Sequence, residues 1–200
     1  MSPPRVVIVA NGGANIASLS FALQRLDAAS SVSADPDEIR AASHVILPGV
    51  GAAGDAMSRL RRSGLDALIP TLRQPVLGIC LGMQLLFEAS EEGDARCLGV
   101  IPGRAARFAS APGRPVPHMG WNTLDIRRPC TLLAGLDDGD YAYFVHSYAL
   151  AVGEATVAST SYGPPFSACA QWRNFYGAQF HPERSAAVGA RLLRNFLALD

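Results

Sequence analysis

In Pro75 to Phe87, PVLGICLGMQLLF, an apolar run turns within a single residue into a helical pattern, and that residue is a cysteine. Pro75, Val76, Leu77, Gly78 and Ile79 read as a buried strand opened by a proline, and Gly82 to Glu88 carries helix formers with apolar residues recurring around the turn. A strand that feeds a helix this abruptly pushes the junction residue into strained backbone. The glycines two positions to either side, Gly78 and Gly82, let neighbouring backbone pass close. The pattern is a nucleophile elbow with sulfur in place of oxygen. A helix N-terminus beneath the thiol favours thiolate, the reactive form. From this segment alone, Cys80 is either a nucleophile or a small buried hydrophobe.

Two earlier segments repeat the strand, loop, helix order. Val6 to Ala10 is a β-branched apolar run ending in Asn11-Gly12-Gly13-Ala14-Asn15, and Ile16 to Leu26 has helical periodicity. NGGAN lacks the spacing of a dinucleotide fingerprint or P-loop and reads as a tight turn lining a cleft. Ser30 to Ala34 fits a short strand, and Asp35-Pro36-Asp37-Glu38 fits an N-cap with proline and acids in the first turn. Val45-Ile46-Leu47 runs into Pro48-Gly49-Val50-Gly51 and then a helical stretch, Ala52 to Arg62. The glycines beside Val50 free the backbone to aim an N–H group at the carboxyl end of the strand, where open α/β sheets bind ligands; an ordinary βα turn is the alternative. Beyond Gly93 short apolar runs alternate with Gly and Pro. Runs at Tyr141 to His146, Ala155 to Ser161, Ala168 to Trp172 and Tyr176 to Phe180 read as antiparallel additions to a parallel sheet, before a final helix from Ala186 to Leu199.

Composition narrows the classes of function. The chain has 200 residues, enough for one well-packed domain over 1–200, and 49% hydrophobic with 17% charged residues suits buried strands rather than disorder. Seventeen basic and seventeen acidic residues cancel, so nucleic acid and anionic membrane are not expected partners. MSPPRVVIVAN has neither the apolar length nor the flanks of a signal peptide or membrane span, and a cytoplasmic location is expected. Cys80, Cys97, Cys130 and Cys169 are far apart with no C-x-x-C pair, so no disulfide, structural metal or cofactor is expected.

Gly177-Ala178-Gln179-Phe180-His181-Pro182-Glu183 completes a chemical set. In extended chain, residues i and i+2 face the same side, so His181 and Glu183 share one cleft, with Pro182 stiffening the link. A carboxylate beside a histidine fixes its tautomer and stabilises its protonated form, as a thiol-activating base requires. With Cys80, the pair supplies nucleophile, base and orienter. His118 and His146 have no acid at i+2 and read as structural or substrate-facing; His44 reads as incidental.

GICLGMQLLFEASEEG, LPGVG, HMGWN, YFVHSY and QFHPERS together resemble the class I (triad) glutamine amidotransferases, from the first strand to the final helix. PHMGWN and YFVHSY are most similar to the glutaminase subunits of imidazole glycerol phosphate synthases. The resemblance implies a flavodoxin-like open, mostly parallel sheet with helices on both faces and added antiparallel strands. It implies hydrolysis of L-glutamine through a Cys80 thioester, with His181 and Glu183 moving protons and with Val50, Gly51 and Leu81 forming the oxyanion hole. Gln84, Glu92, Ser147 and Tyr148 would hold glutamine. A (β/α)8 cyclase subunit would form a heterodimer with this chain and receive ammonia, docking near Asn15, Tyr141, Tyr143 and Arg184. Arg184 stands where lysine is common, and NGGAN replaces a less hindered G-x-G-N loop. Another amidotransferase glutaminase, a γ-glutamyl hydrolase and a catalytically silent binding subunit are the competing readings.

Overall fold

The computed structural model describes residues 4–12 and 16–200. The expectation for Asn15, and most of the NGGAN loop, lies outside them. The first half of the chain alternates strands and helices: β1 (Val6–Val9), α1 (Ile16–Gln24), β2 (Ser30–Ser33), α2 (Pro36–Arg40), β3 (His44–Gly49), α3 (Ala53–Arg62), α4 (Leu65–Leu68), β4 (Val76–Cys80) and α5 (Leu81–Leu86). Strands dominate the second half: β5 (Phe87–Ser90), β6 (Ala95–Arg96), β7 (Ile101–Arg107), β8 (His118–Thr123), β9 (Asp125–Ile126), β10 (Tyr141–His146), β11 (Tyr148–Leu150), β12 (Thr156–Ser161), β13 (Pro165–Trp172) and β14 (Phe175–Ala178), followed by α6 (Ala186–Leu197).

Eight strands form the central sheet in the order β2-β1-β3-β4-β14-β13-β12-β9. The first five are parallel and the last three antiparallel. The order of the parallel strands is the flavodoxin-like one. Their residues alternate between two cores. Val6, Ile8, Ile46 and Leu77 meet α1 and α6 on one face, while Val7, Val9, Val45 and Val76 meet α3, α4 and α5 on the other. Strands covered on both faces must be apolar throughout, which is why β1 and β4 are buried along their whole length.

The expected elements recur with shifted ends. Asp35 caps α2 by accepting the Asp37 N–H at 2.8 Å, with Pro36 in the first turn. The helix after Cys80 stops at Leu86 rather than Glu88. Val100 and Gly99 donate N–H groups to the Leu86 and Phe87 carbonyls, at 2.9 and 2.8 Å, and Phe87 and Ala89 pair in parallel with β7. Tertiary pairing outweighs the helical propensity of the segment. The resulting four-stranded sheet, β11-β7-β5-β6, was not legible in the pattern. Two of the four late strands also differ from expectation. Tyr141–His146 pairs with β8 in a separate two-stranded ribbon, and β14 runs parallel to β4 although antiparallel to β13. No helix among the described residues is long and apolar enough to cross a membrane.

Candidate active site

Three adjacent strands end at one place. In the register of β3 and β4, Gly49 stands opposite Cys80, and in that of β14 and β4, Ala178 stands opposite Ile79. The loop after β3 therefore begins beside the cysteine, and the segment leading to His181 emerges from its other side. Cys80 is 8% exposed and has φ 54°, ψ −114°, in the left-handed half of backbone space that a side chain adopts only at a cost of about 1–3 kcal/mol. Close backbone packing maintains this turn: a Cβ on Gly82 would collide with the Leu47 carbonyl oxygen of β3. Gly51, at φ +86°, supplies the matching reversal in the facing loop.

His181 Nδ1–H donates to Glu183 Oε1 at 2.8 Å, and both side chains are almost fully buried. Burial by itself would depress the imidazole pKa. Hydrogen bonds with the Cys80 sulfur and the Glu183 carboxylate, and the negative charge on each, outweigh it and raise the value from 6.5 to about 10. At neutral pH the histidine is held as a cation between sulfur and carboxylate. Its backbone is fixed as firmly. Its N–H donates to the Tyr143 carbonyl at 3.0 Å, while Ser185 Oγ–H donates to its carbonyl at 2.7 Å and accepts the Tyr143 N–H at 2.9 Å.

A cavity of about 440 Å³ opens over Cys80, a volume suited to a small polar metabolite. Val50, Gly51, Leu81, Gln84, Glu92, Ser147, Tyr148, His181 and Arg184 all line it. The cavity thus gathers every residue expected for the oxyanion hole and for glutamine. Glu92 is anchored, its Oε2 accepting the Ala53 N–H at the start of α3 at 2.8 Å. Gln84 donates both amide hydrogens inward, to the Tyr148 carbonyl at 2.8 Å and Gln179 Oε1 at 3.0 Å, which leaves its oxygen for a ligand. Glu183 lies behind His181, beside the β1 and β3 ends, and does not line this cavity.

Of the positions expected at a docking face, Arg184 reaches the cavity rim and places its guanidinium 5.4 Å from the centre of the Tyr143 ring. Tyr143 packs edge-on against Trp121, its cross-strand partner in the ribbon, at 5.9 Å. Met119, Trp121 and Tyr141 are 64%, 52% and 58% exposed, so the outer face of the ribbon is apolar and uncovered.

Of the two histidines read as structural or substrate-facing, His146 lines the cavity and His118 hydrogen-bonds to it, a polar chain that the sequence reading did not single out. His146 Nδ1–H donates to the Tyr148 carbonyl at 2.8 Å, so its Nε2 must accept, and His118 Nδ1–H donates to it at 3.2 Å. Burial lowers His118 to about 4; it also lowers His146, to about 3, where the Tyr148 bond works against it and His118 and His181 add to it. Both imidazoles are neutral at pH 7. HMGWN and YFVHSY carried the signal, since β8 and β10 pair His118 directly with His146.

The sequence profile described as Glutamine amidotransferase class-I matches residues 8–199. The imidazole glycerol phosphate synthase subunit HisH of Xanthomonas euvesicatoria pv. vesicatoria is 53% identical over 195 residues, 98% of each chain, and that of Xylella fastidiosa strain Temecula1 is 52% identical over the same share. A subunit HisH 2 of Legionella pneumophila strain Paris is 50% identical over 98% of each chain. Among solved structures, PurLQS from Thermotoga maritima superposes with a TM-score of 0.77 at 18% identity over 98% of both chains, and a glutamine amidotransferase with 0.75 at 19% identity over 96% of both; these two bear on the fold alone. An elbow cysteine facing a histidine–carboxylate pair across the ends of a flavodoxin-like sheet, in a chain half identical to these subunits along its length, belongs to the class-I glutamine amidotransferase family, in its HisH group.

Proposed function

We propose that Cys80, His181 and Glu183 carry out the glutaminase reaction of this HisH-group enzyme in histidine biosynthesis. The observation that carries the reading is the strained Cys80 backbone, at φ 54°, facing a histidine that is hydrogen-bonded to Glu183 at 2.8 Å and held protonated. Cys80 sulfur attacks the side-chain amide carbon of L-glutamine. His181 gives its proton to the leaving nitrogen, ammonia departs, and the same imidazole then takes a proton from the water that hydrolyses the thioester to glutamate. Glu183 keeps Nδ1 as a donor throughout, so Nε2 is the exchanging atom.

Both tetrahedral oxyanions form within reach of the backbone at Leu81 and at Val50-Gly51, which line the cavity. Each aligned N–H donor there supplies about 2.7–4 kcal/mol of transition-state stabilisation. Gln84 and Glu92 bracket the substrate with Ser147 and Tyr148; the fixed carboxylate of Glu92 suits the substrate's ammonium group. The domain spans 1–200 and works in the cytoplasm. Its partner is a (β/α)8 cyclase of the HisF type, in a heterodimer, and the exposed Met119, Trp121 and Tyr141 with Tyr143 and Arg184 form the docking face. Asn15 is assigned to the same face from its place in the sequence.

The test is glutamate release from glutamine by the chain alone and with the cyclase carrying its nucleotide ligand, for the wild type and Cys80→Ala. Strong stimulation by the cyclase, lost in Cys80→Ala with binding retained, is the expected result. Turnover retained in Cys80→Ala removes it as nucleophile, and activity indifferent to the cyclase removes the partner.

A further inference from the structure

Gln179 follows β14 by one residue, so the register that sets Ala178 against Ile79 brings it abreast of Cys80. Its side chain is completely buried and touches both the Cys80 sulfur and the Gln84 amide. The polarity of its amide is not free. The Tyr148 carbonyl can only accept, and it takes Nδ1–H of His146 and one Nε2–H of Gln84. The other Gln84 hydrogen is donated to the Gln179 side chain at 3.0 Å, so the atom facing Gln84 must be Oε1. The nitrogen of Gln179 therefore faces the sulfur, at 3.8 Å. One backbone carbonyl thus sets the orientation of two successive amides and ends the chain in an N–H aimed at the nucleophile.

We infer that Gln179 is a further catalytic residue: its Nε2–H is a hydrogen-bond donor to Cys80 Sγ that supports the thiolate, and its Oε1 ties that donor to the glutamine-holding side chain of Gln84. The inference rests on Cys80 being the nucleophile of the glutaminase reaction. Sulfur has two alternative partners here. As a thiol it donates to the Val145 carbonyl, 3.8 Å away, and that contact offers nothing to an anion. Paired with protonated His181, the sulfur is the thiolate, holds the former S–H electron pair and needs a donor instead, which Gln179 supplies without moving. The same need returns in deacylation, where water oxygen bonds the acyl carbon, the C–S pair returns to sulfur, and the water proton goes to His181. A donor present at both stages favours formation of the nucleophile and departure of the thiolate.

The experiment measures the Cys80-dependent ultraviolet thiolate absorbance and the rate of iodoacetamide alkylation at neutral pH in the full chain. It compares wild type, Cys80→Ala, Gln179→Met, Gln179→Glu and Gln84→Met. Gln179→Met keeps volume but no polar atom, and Gln179→Glu keeps the acceptor for Gln84 but not the amide donor. Both are expected to lose thiolate absorbance and to slow alkylation roughly tenfold, the general size of one hydrogen bond to an ionised group. Gln84→Met, which removes the group that fixes the Gln179 amide but leaves its donor in place, is expected to raise KM for glutamine and to slow alkylation less than either Gln179 variant. A packing role alone would be rescued by Gln179→Glu.

Wild-type absorbance and alkylation in both folded Gln179 variants would overturn the inference while leaving Cys80 as nucleophile. No Cys80-dependent signal in the wild type would remove the nucleophile and the inference together. If neither variant folds, the Gln179 side-chain resonance in nitrogen-labelled protein decides. Its displacement on alkylation of Cys80, alongside unmoved Gln84, supports the bond, and a stationary signal refutes it.

Discussion

Replacing Gly82 by alanine tests whether backbone contact between β3 and α5 builds the elbow. An added Cβ would fall inside the Leu47 carbonyl oxygen and 2.8 Å from its carbon, with the Pro48 carbonyl carbon at 3.2 Å. Ordinary carbon contacts need about 3.5–4.0 Å, so the start of α5 must retreat by roughly 1 Å. Only backbone lies in the way, so no flexible side chain can relieve the clash. We expect a loss of about 3 kcal/mol, the upper part of the overpacking range. The same retreat carries Leu81 away from Val50 and Gly51, and a 1 Å misplacement of this kind costs about 10²-fold in kcat.

Gly54 is the control. It lies in α3 with nothing within 4 Å of an added Cβ, so Gly54→Ala should raise stability by about 0.5–1 kcal/mol and leave turnover unchanged. Urea denaturation monitored by circular dichroism gives the stabilities, and glutamate release in the presence of cyclase gives kcat. A Gly82→Ala chain within 0.5 kcal/mol of wild type, a difference below about a factor of three, and with full kcat would refute the steric argument.

Other expectations follow from charge and strain. His118 is neutral in the fold and displaced from 6.5 to about 4, so its contribution, on the order of 3 kcal/mol, is present above pH 6.5 and lost as pH falls through 4; unfolding free energies across that range should fall steeply in wild type and less in His118→Phe. His181 has the opposite sign, raised to about 10, so its stabilisation is complete below pH 6.5 and lost as pH rises towards 10; His181→Gln should flatten the alkaline limb of the same measurement. Cys80→Gly should abolish turnover yet unfold at a higher temperature than Cys80→Ala, by about 1 kcal/mol of released backbone strain at φ 54°, and equal melting points would count against that strain.

The legible parts of the fold were those governed by local pattern. The runs at Val6, Val45 and Val76 are buried on both faces and so are apolar without alternation, and Asp35 with Pro36 marks a helix start through hydrogen bonds made within three residues. His181 and Glu183 were legible as a pair because two residues of extended chain carry them to one side. The ribbon was not, since Tyr141–His146 alternates like any half-buried strand and only its partner β8 sets it apart from the central sheet. Nor was the end of α5, where pairing with residues 98–101 overrides the helical character of Phe87 and Glu88.

The sequence by itself determined the chemical inventory: a thiol at a strand-to-helix junction, a histidine with a carboxylate at i+2, and a chain of the α/β class without net charge. Strand order and register decided that Gly49, Cys80 and Gln179 stand side by side, and hence which amide faces the sulfur and which backbone faces the cavity. Periodicity and spacing act over a few residues, whereas these contacts join positions about 30 and 100 apart in the chain, where only the hydrogen-bond register of a packed sheet can specify them.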